Sequence, residues 1–205
     1  MKPDDIEALS FRIIDKEAGP HGYTKEEWSI VRRMIHTSAD FEWIKIVRFH
    51  PKAIAKGIEA IRSGKSIITD TQMARMGIRQ KEIKSYGGTV TCFMNDPLAA
   101  KKAIEKGVTR AKVAMDMAAD YFKEGIYVVG NAPTALLRLI ELIDAKITNP
   151  DLIVGLPVGF VNATESKALL LKQIQVPSIT NKGRKGGSAV AASVINALIV
   201  LSQVY

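Results

Sequence analysis

His36 closes the run Arg32-Arg33-Met34-Ile35-His36-Thr37-Ser38-Ala39-Asp40 and is one of only three histidines in a 205-residue chain. A proton donor beside fixed positive charge suits acid catalysis on an anion, because histidine is the side chain most easily set to trade a proton near neutrality. The segment before it carries helix signals. Thr24-Lys25-Glu26-Glu27 has capping-box spacing, and Trp28, Val31, Met34 and Ile35 form an apolar stripe. His36 lies off that stripe, four residues after Arg32 and three after Arg33, so the three side chains share the polar face of the last turn. On this spacing alone the plainer account, a polar residue favoured by the helix dipole, carries more weight than catalysis.

Arg110 is a sharper anomaly. Thr109 has the character of an N-cap, which places Arg110 in a first helical turn, where the macrodipole disfavours a cation by about 0.3–1 kcal/mol. A bound carboxylate would explain it, taking the guanidinium as a bidentate partner together with unpaired helix N–H groups. Pairing with Asp116 or another acid would explain it equally well. His21, in Gly19-Pro20-His21-Gly22, and His50, before Pro51, read as surface loop residues.

The elements that must position these residues alternate. After helices over 4–17 and 25–36, short apolar runs at 66–70, 89–94, 126–130, 152–155 and 176–180 alternate with helical patterns at 72–76, 97–106, 110–123, 133–145, 163–173 and 188–203. This predicts an α/β fold of three layers, with a mainly parallel five-stranded sheet and helices on both faces. Pro177 cannot donate a ladder hydrogen bond, so the last strand lies at an edge or starts at that residue. No linker or repeat interrupts the chain, and residues 1–205 read as one domain.

In such a sheet, ligands collect beyond the carboxyl ends of the strands. Three loops there combine glycine or proline with a polar cap: Gly130-Asn131-Ala132-Pro133-Thr134, Gly155-Leu156-Pro157-Val158-Gly159-Phe160-Val161-Asn162-Ala163-Thr164-Glu165, and Asn181-Lys182-Gly183-Arg184-Lys185-Gly186-Gly187-Ser188. Their backbone N–H groups could face an anion. Lys182, Arg184 and Lys185 make the third a candidate holder of carboxylate or phosphate, or else a solvated basic turn.

A net charge of +8 favours anionic partners without naming one. Several chemistries lose support. Ser63-Gly64-Lys65-Ser66 ends like a phosphate loop, but Glu59 occupies the first glycine position and the segment precedes a strand. No G-x-G-x-x-G follows a strand, and neither histidines at metal spacing nor a G-x-S-x-G elbow occurs, which argues against hydride transfer, zinc hydrolysis and serine hydrolysis. Cys92, the only cysteine, sits in the expected strand at 89–94, so neither a disulfide within the chain nor a cysteine metal cluster forms, in keeping with a reducing cytoplasm. The apolar stretch 188–205 is interrupted by Ser188, Ser193, Asn196, Ser202 and Gln203 and reads as a buried helix rather than a membrane anchor.

Ser10 in an N-terminal helix, Ile35-His36-Thr37-Ser38, Thr109-Arg110, Gly130-Asn131-Ala132-Pro133-Thr134-Ala135, Gly155 through Lys167, and Gly186-Gly187-Ser188 leading to Asn196-Ala197 occur in an order and spacing that resemble the precorrin-8 methylmutases of cobalamin biosynthesis. The resemblance covers nearly the whole chain. It implies an isomerase that moves a methyl group from C11 to C12 of precorrin-8 or cobalt-precorrin-8, giving hydrogenobyrinate or cobyrinate. It also implies that His36 is the acid that protonates a ring nitrogen near the migrating methyl, and that Ser10, Arg33 and Arg110 contact the substrate. A flavodoxin-like sheet and a homodimer with sites at the subunit interface come with it. The polycarboxylate corrinoid would account for the basic balance. A methyl shift of this kind calls for no cofactor, metal, hydride or nucleophile, so grip and one proton would suffice.

Two other readings stand beside it. A corrinoid carrier would need the anion sites but not His36. A basic nucleic-acid-binding domain would use Lys182, Arg184 and Lys185, but the chain has no recognised binding motif and its few aromatics are not interleaved with basic residues.

Overall fold

In a computed structural model, residues 3–173 and 175–204 are described. Met1, Lys2, Ile174 and Tyr205, which the single-domain expectation includes, lie outside them. The first part of the chain comprises α1 (Pro3–Ala18), α2 (Lys25–Ser38), α3 (Trp43–Ile46), β1 (Val47–Phe49), α4 (Ala53–Arg62), β2 (Ile67–Thr69), α5 (Gln72–Gly77), α6 (Gln80–Ser85) and β3 (Val90–Thr91). There follow α7 (Pro97–Lys106), α8 (Arg110–Tyr121), β4 (Ile126–Val129), α9 (Pro133–Asp144), β5 (Leu152–Gly155), α10 (Ala163–Lys172), β6 (Ser178–Asn181) and α11 (Ser188–Val204).

The sheet has six strands in the order β1-β6-β5-β4-β2-β3, all parallel except β1, which runs antiparallel to β6. The five expected strands are all present, and β1 is added to them. Without β1 the order is flavodoxin-like: the chain starts inside the sheet at β2, adds β3 on one side, then reverses to build outward through β4, β5 and β6. The reversal falls between β2 and β4.

The alternative that put Pro177 at an edge is corrected by β1. His50 donates its backbone N–H to the Ser178 carbonyl at 2.8 Å, so β6 is covered on that side, and it begins at the residue after the proline. Cys92 is corrected too: it lies just past β3 and is half-buried.

The parallel strands bury both faces, as near-continuous apolar runs require. Ile67, Ile126, Val128, Leu152, Val154 and Ile179 face a core closed by α2, α4 and α11. Ile68, Tyr127, Val129 and Ile153 face the opposite core, closed by α8, α9 and α10. Serines within α11 satisfy themselves inside the helix, Ser193 and Ser202 each donating at 2.7 Å to the carbonyl three residues earlier. Among the described residues no helix is long and apolar enough to cross a membrane.

Candidate active site at the carboxyl edge of the sheet

The end of α2 is built as a start-to-finish capped helix. The capping box forms, with Glu27 N–H on Thr24 Oγ1 at 3.2 Å and Thr24 N–H on the Glu27 carboxylate at 2.9 Å. Ile30, Val31, Met34 and Ile35 are buried, which turns Arg32, Arg33 and His36 outward against α1. All three gather around Phe11: the His36 ring meets it edge-on at 5.3 Å between centroids, and the Arg32 and Arg33 guanidinium carbons lie 4.3 and 4.8 Å from its centre.

Two ion pairs strap α1 over this face. Arg32 donates to Asp15 at 2.9 Å, and Arg33 donates through both terminal nitrogens to Glu7 at 2.7 and 3.1 Å. The hydrogen bonds from Arg33 hold the Glu7 carboxyl below its ordinary value. His36 itself is exposed, and among the described residues neither ring nitrogen has a hydrogen-bond partner.

A hollow opens on either side of His36. One, of about 370 Å³, is lined by Ser10, Ile14, Glu17 and Phe41; the other, of about 280 Å³, by Arg33, Thr37, Arg79, Ser193 and Asn196. Ser10 and Arg33, the contacts the resemblance implies, thus stand on either side of His36. Ser10 donates its hydroxyl to the Ile6 carbonyl at 2.9 Å, leaving its oxygen lone pairs toward the hollow as acceptors.

Arg110 lies elsewhere. Thr109 caps α8, accepting from the Lys112 N–H at 3.2 Å, and its hydroxyl donates to Thr134 Oγ1 at 3.0 Å. This sets Arg110 beside the start of α9, at the carboxyl edge but in the helical layer opposite α2, and it lines neither hollow beside His36. Asp116, one explanation for its position, is taken by Arg138 at 2.6 Å. Among the described residues Arg110 has no ion pair.

The three loops turn out differently from one another. At the strand reversal, Asp70 accepts the N–H groups of Gly130, Asn131 and Ala132 at 2.9, 2.9 and 2.8 Å, so the anion facing that turn is the protein's own carboxylate. Burial raises its pKa above the ordinary carboxylate value, opposed by the three N–H donors. In the third loop Lys185 bonds Asp40 and Glu42 at 2.5 and 2.6 Å, which corrects its reading as an open anion holder. Gly186 permits this loop to press on the second: a Cβ there would stand 2.2 Å from the Leu156 carbonyl oxygen. From below, the fully buried Lys167 donates to the Lys185 carbonyl at 2.7 Å and Asn181 Oδ1 at 3.2 Å, and burial lowers its pKa to about 8. The second loop carries exposed Phe160, with the Arg184 guanidinium 5.3 Å from its ring centre.

The remaining histidines are in loops, as expected, but His21 is half-buried, stacked on Trp28 at 4.0 Å, while His50 Nδ1 accepts from the Lys52 N–H at 3.1 Å.

Comparison with known proteins decides what this edge belongs to. A family model described as precorrin-8X methylmutase matches residues 5–201. The chain belongs to the precorrin-8X methylmutase family. Among its relatives, the cobalt-precorrin-8 methylmutase of Priestia megaterium is 46% identical over 98% of this chain and 89% of that protein. The precorrin-8X methylmutase of Pseudomonas aeruginosa is 37% identical over 92% and 91%. The crystal structure of the precorrin-8X methylmutase from Thermus thermophilus superposes with a TM-score of 0.90 at 42% identity, covering 97% of this chain and 96% of that one.

Membership in the precorrin-8X methylmutases makes the chain an isomerase that shifts a methyl group within one molecule. A methylmutase site needs a surface that receives a large acidic ring and one group able to give and retrieve a proton. The His36 imidazole lies between two hollows, one of them rimmed by the guanidinium groups of Arg33 and Arg79. Phe11, Asp70 and Arg79 escaped the sequence reading. Phe11 carried a signal, lying one residue after Ser10 on a helix; Asp70 and Arg79 have partners 60 or more residues away and carried none.

Proposed function

We propose that this chain moves a methyl group from C11 to C12 of precorrin-8 or cobalt-precorrin-8, giving hydrogenobyrinate or cobyrinate, with His36 as the acid. The imidazole protonates the ring nitrogen next to the migrating methyl and so favours the rearranged tautomer. The observation that carries this reading is the exposed His36 ring, without a hydrogen-bond partner among the described residues and held edge-on by Phe11 between two hollows. Neither hollow alone admits a tetrapyrrole, so the ring lies across both with His36 beneath it. Ser10 reaches its periphery from one side and Arg33, whose terminal nitrogens the ring would share with Glu7, from the other.

The working form is a homodimer with its sites at the subunit interface. Arg110 supports this, because it stands without an ion pair among the described residues, in the layer opposite His36, and would meet a ring bound to a neighbouring subunit. Exposed Phe160 and Val161, 83% and 77% accessible at the same edge, supply apolar surface for such a contact. The protein works in the cytoplasm on a corrinoid and does not use nucleic acid as a partner.

Incubating the purified protein with precorrin-8 and, separately, with its cobalt form, and following the absorption spectrum, tests the reading. Conversion of either supports it and identifies the preferred form. Tight binding without conversion indicates a carrier and overturns it.

A further inference from the structure

Arg79 was not singled out by spacing or by charge, yet it projects from the wall of the His36 hollow opposite α2. It also borders the neighbouring hollow that holds Glu7 and Arg33. The backbone that carries it is fixed to α11 by one side chain. Asn196 accepts the Arg79 N–H on Oδ1 at 3.0 Å and donates Nδ2 to the Gly77 carbonyl at 2.9 Å, bridging the turn that leaves α5. Close approach makes the bridge possible: a Cβ on Gly77 would stand 2.9 Å from the Ala192 Cβ. Gly77, Asn196 and Ala192 therefore act together to hold one short turn against a buried helix.

The contrast with Arg33 shows what this turn presents. Arg33 spends both terminal nitrogens on Glu7. The Arg79 guanidinium is exposed and, among the described residues, forms no hydrogen bond or ion pair within contact distance, its charge reaching Glu7 only through space, although its backbone is pinned. A rigid base under an unspent planar fork is the arrangement that receives a carboxylate in bidentate fashion. Resting on the functional reading above, we propose that Arg79, positioned by Asn196, binds a peripheral carboxylate of the corrinoid and sets the ring's orientation over His36.

The test measures binding of hydrogenobyrinate, and of the same corrinoid with its carboxylates converted to amides, to wild type, R79M, R79K and N196A. Arg79→Met should weaken binding of the acid at least about tenfold, the size of a lost charge-assisted hydrogen bond, while leaving the amide within about twofold. Arg79→Lys should recover part of the loss, since it keeps the charge without the fork. Asn196→Ala should weaken the acid more than the amide, with a thermal midpoint checked in parallel. Equal affinity of R79M and wild type for the acid, or an equal loss for acid and amide, overturns the inference while wild-type turnover leaves the functional reading standing. A wild type that binds neither corrinoid and converts no substrate overturns the functional reading itself, and this inference with it.

Discussion

Glu7 on the first helix receives both terminal nitrogens of Arg33 on the second, at 2.7 and 3.1 Å, only three residues before the catalytic candidate His36. The pair has two consequences. It straps α1 over the Phe11 cluster, and it places a negative charge on the wall of a cleft proposed to take a polycarboxylate.

Glu7→Gln should therefore separate stability from binding. Glu7 is about two-fifths exposed, so the lost pair costs no more than about 1 kcal/mol at neutral pH. Its carboxyl is held below the ordinary value by Arg33, so the contribution is complete above that value and fades as pH falls through the lowered one. Denaturant midpoints of wild type and E7Q should converge in acid. Corrinoid acid should bind E7Q several-fold more tightly at low salt, an effect that screening removes. Weaker binding by E7Q would mean that Glu7 orients Arg33 for the substrate.

Asp70 makes a larger structural contribution. Its carboxylate serves three backbone N–H groups where strand order reverses, and an amide would turn an NH2 group toward at least one of them. Asp70→Asn should cost about 2–4 kcal/mol in urea unfolding. A change under about 0.5 kcal/mol would show that the turn holds itself.

Much of this was legible beforehand, and the exceptions have physical causes. Helices with side-chain caps, such as α2 behind Thr24 and α8 behind Thr109, begin where the caps predict. The helix α4 is not among the expected helices: it has no side-chain cap at Lys52, and Gly57 lies in its middle, where a Cβ would stand 2.9 Å from Leu152 Cδ2. Strand β1 spans three residues with Arg48 in the middle, too short for a period to register. The same division runs through the site. Arg33 and His36 share the end of one helix and were legible from spacing, Ser10 came only with the family resemblance, and the Arg79–Asn196 bridge spans 117 residues and exists only once α5 meets α11.

Lys167 supplies a pH test of the loop network. It is 1% exposed and its pKa is lowered from 10.5 to about 8 by burial. Below about 8 both folded and unfolded chains hold the proton, and this group adds no slope. Between about 8 and 10.5 the unfolded chain binds more protons, so stability rises with pH there, by about 3 kcal/mol at most. Unfolding free energies of wild type minus K167M should climb from pH 7 to 10. A flat difference would mean that Lys167 titrates as an ordinary surface lysine.

The most direct test of the central claim replaces His36 by asparagine, which keeps size and polarity but cannot deliver a proton near neutrality. Wild type and H36N are compared in single turnover with precorrin-8 or its cobalt form, following absorption, after corrinoid affinity has been measured for both. The account predicts that H36N binds within a few-fold of wild type and converts substrate at least about a hundredfold more slowly, the usual share of a general acid. Unchanged turnover in H36N would contradict it.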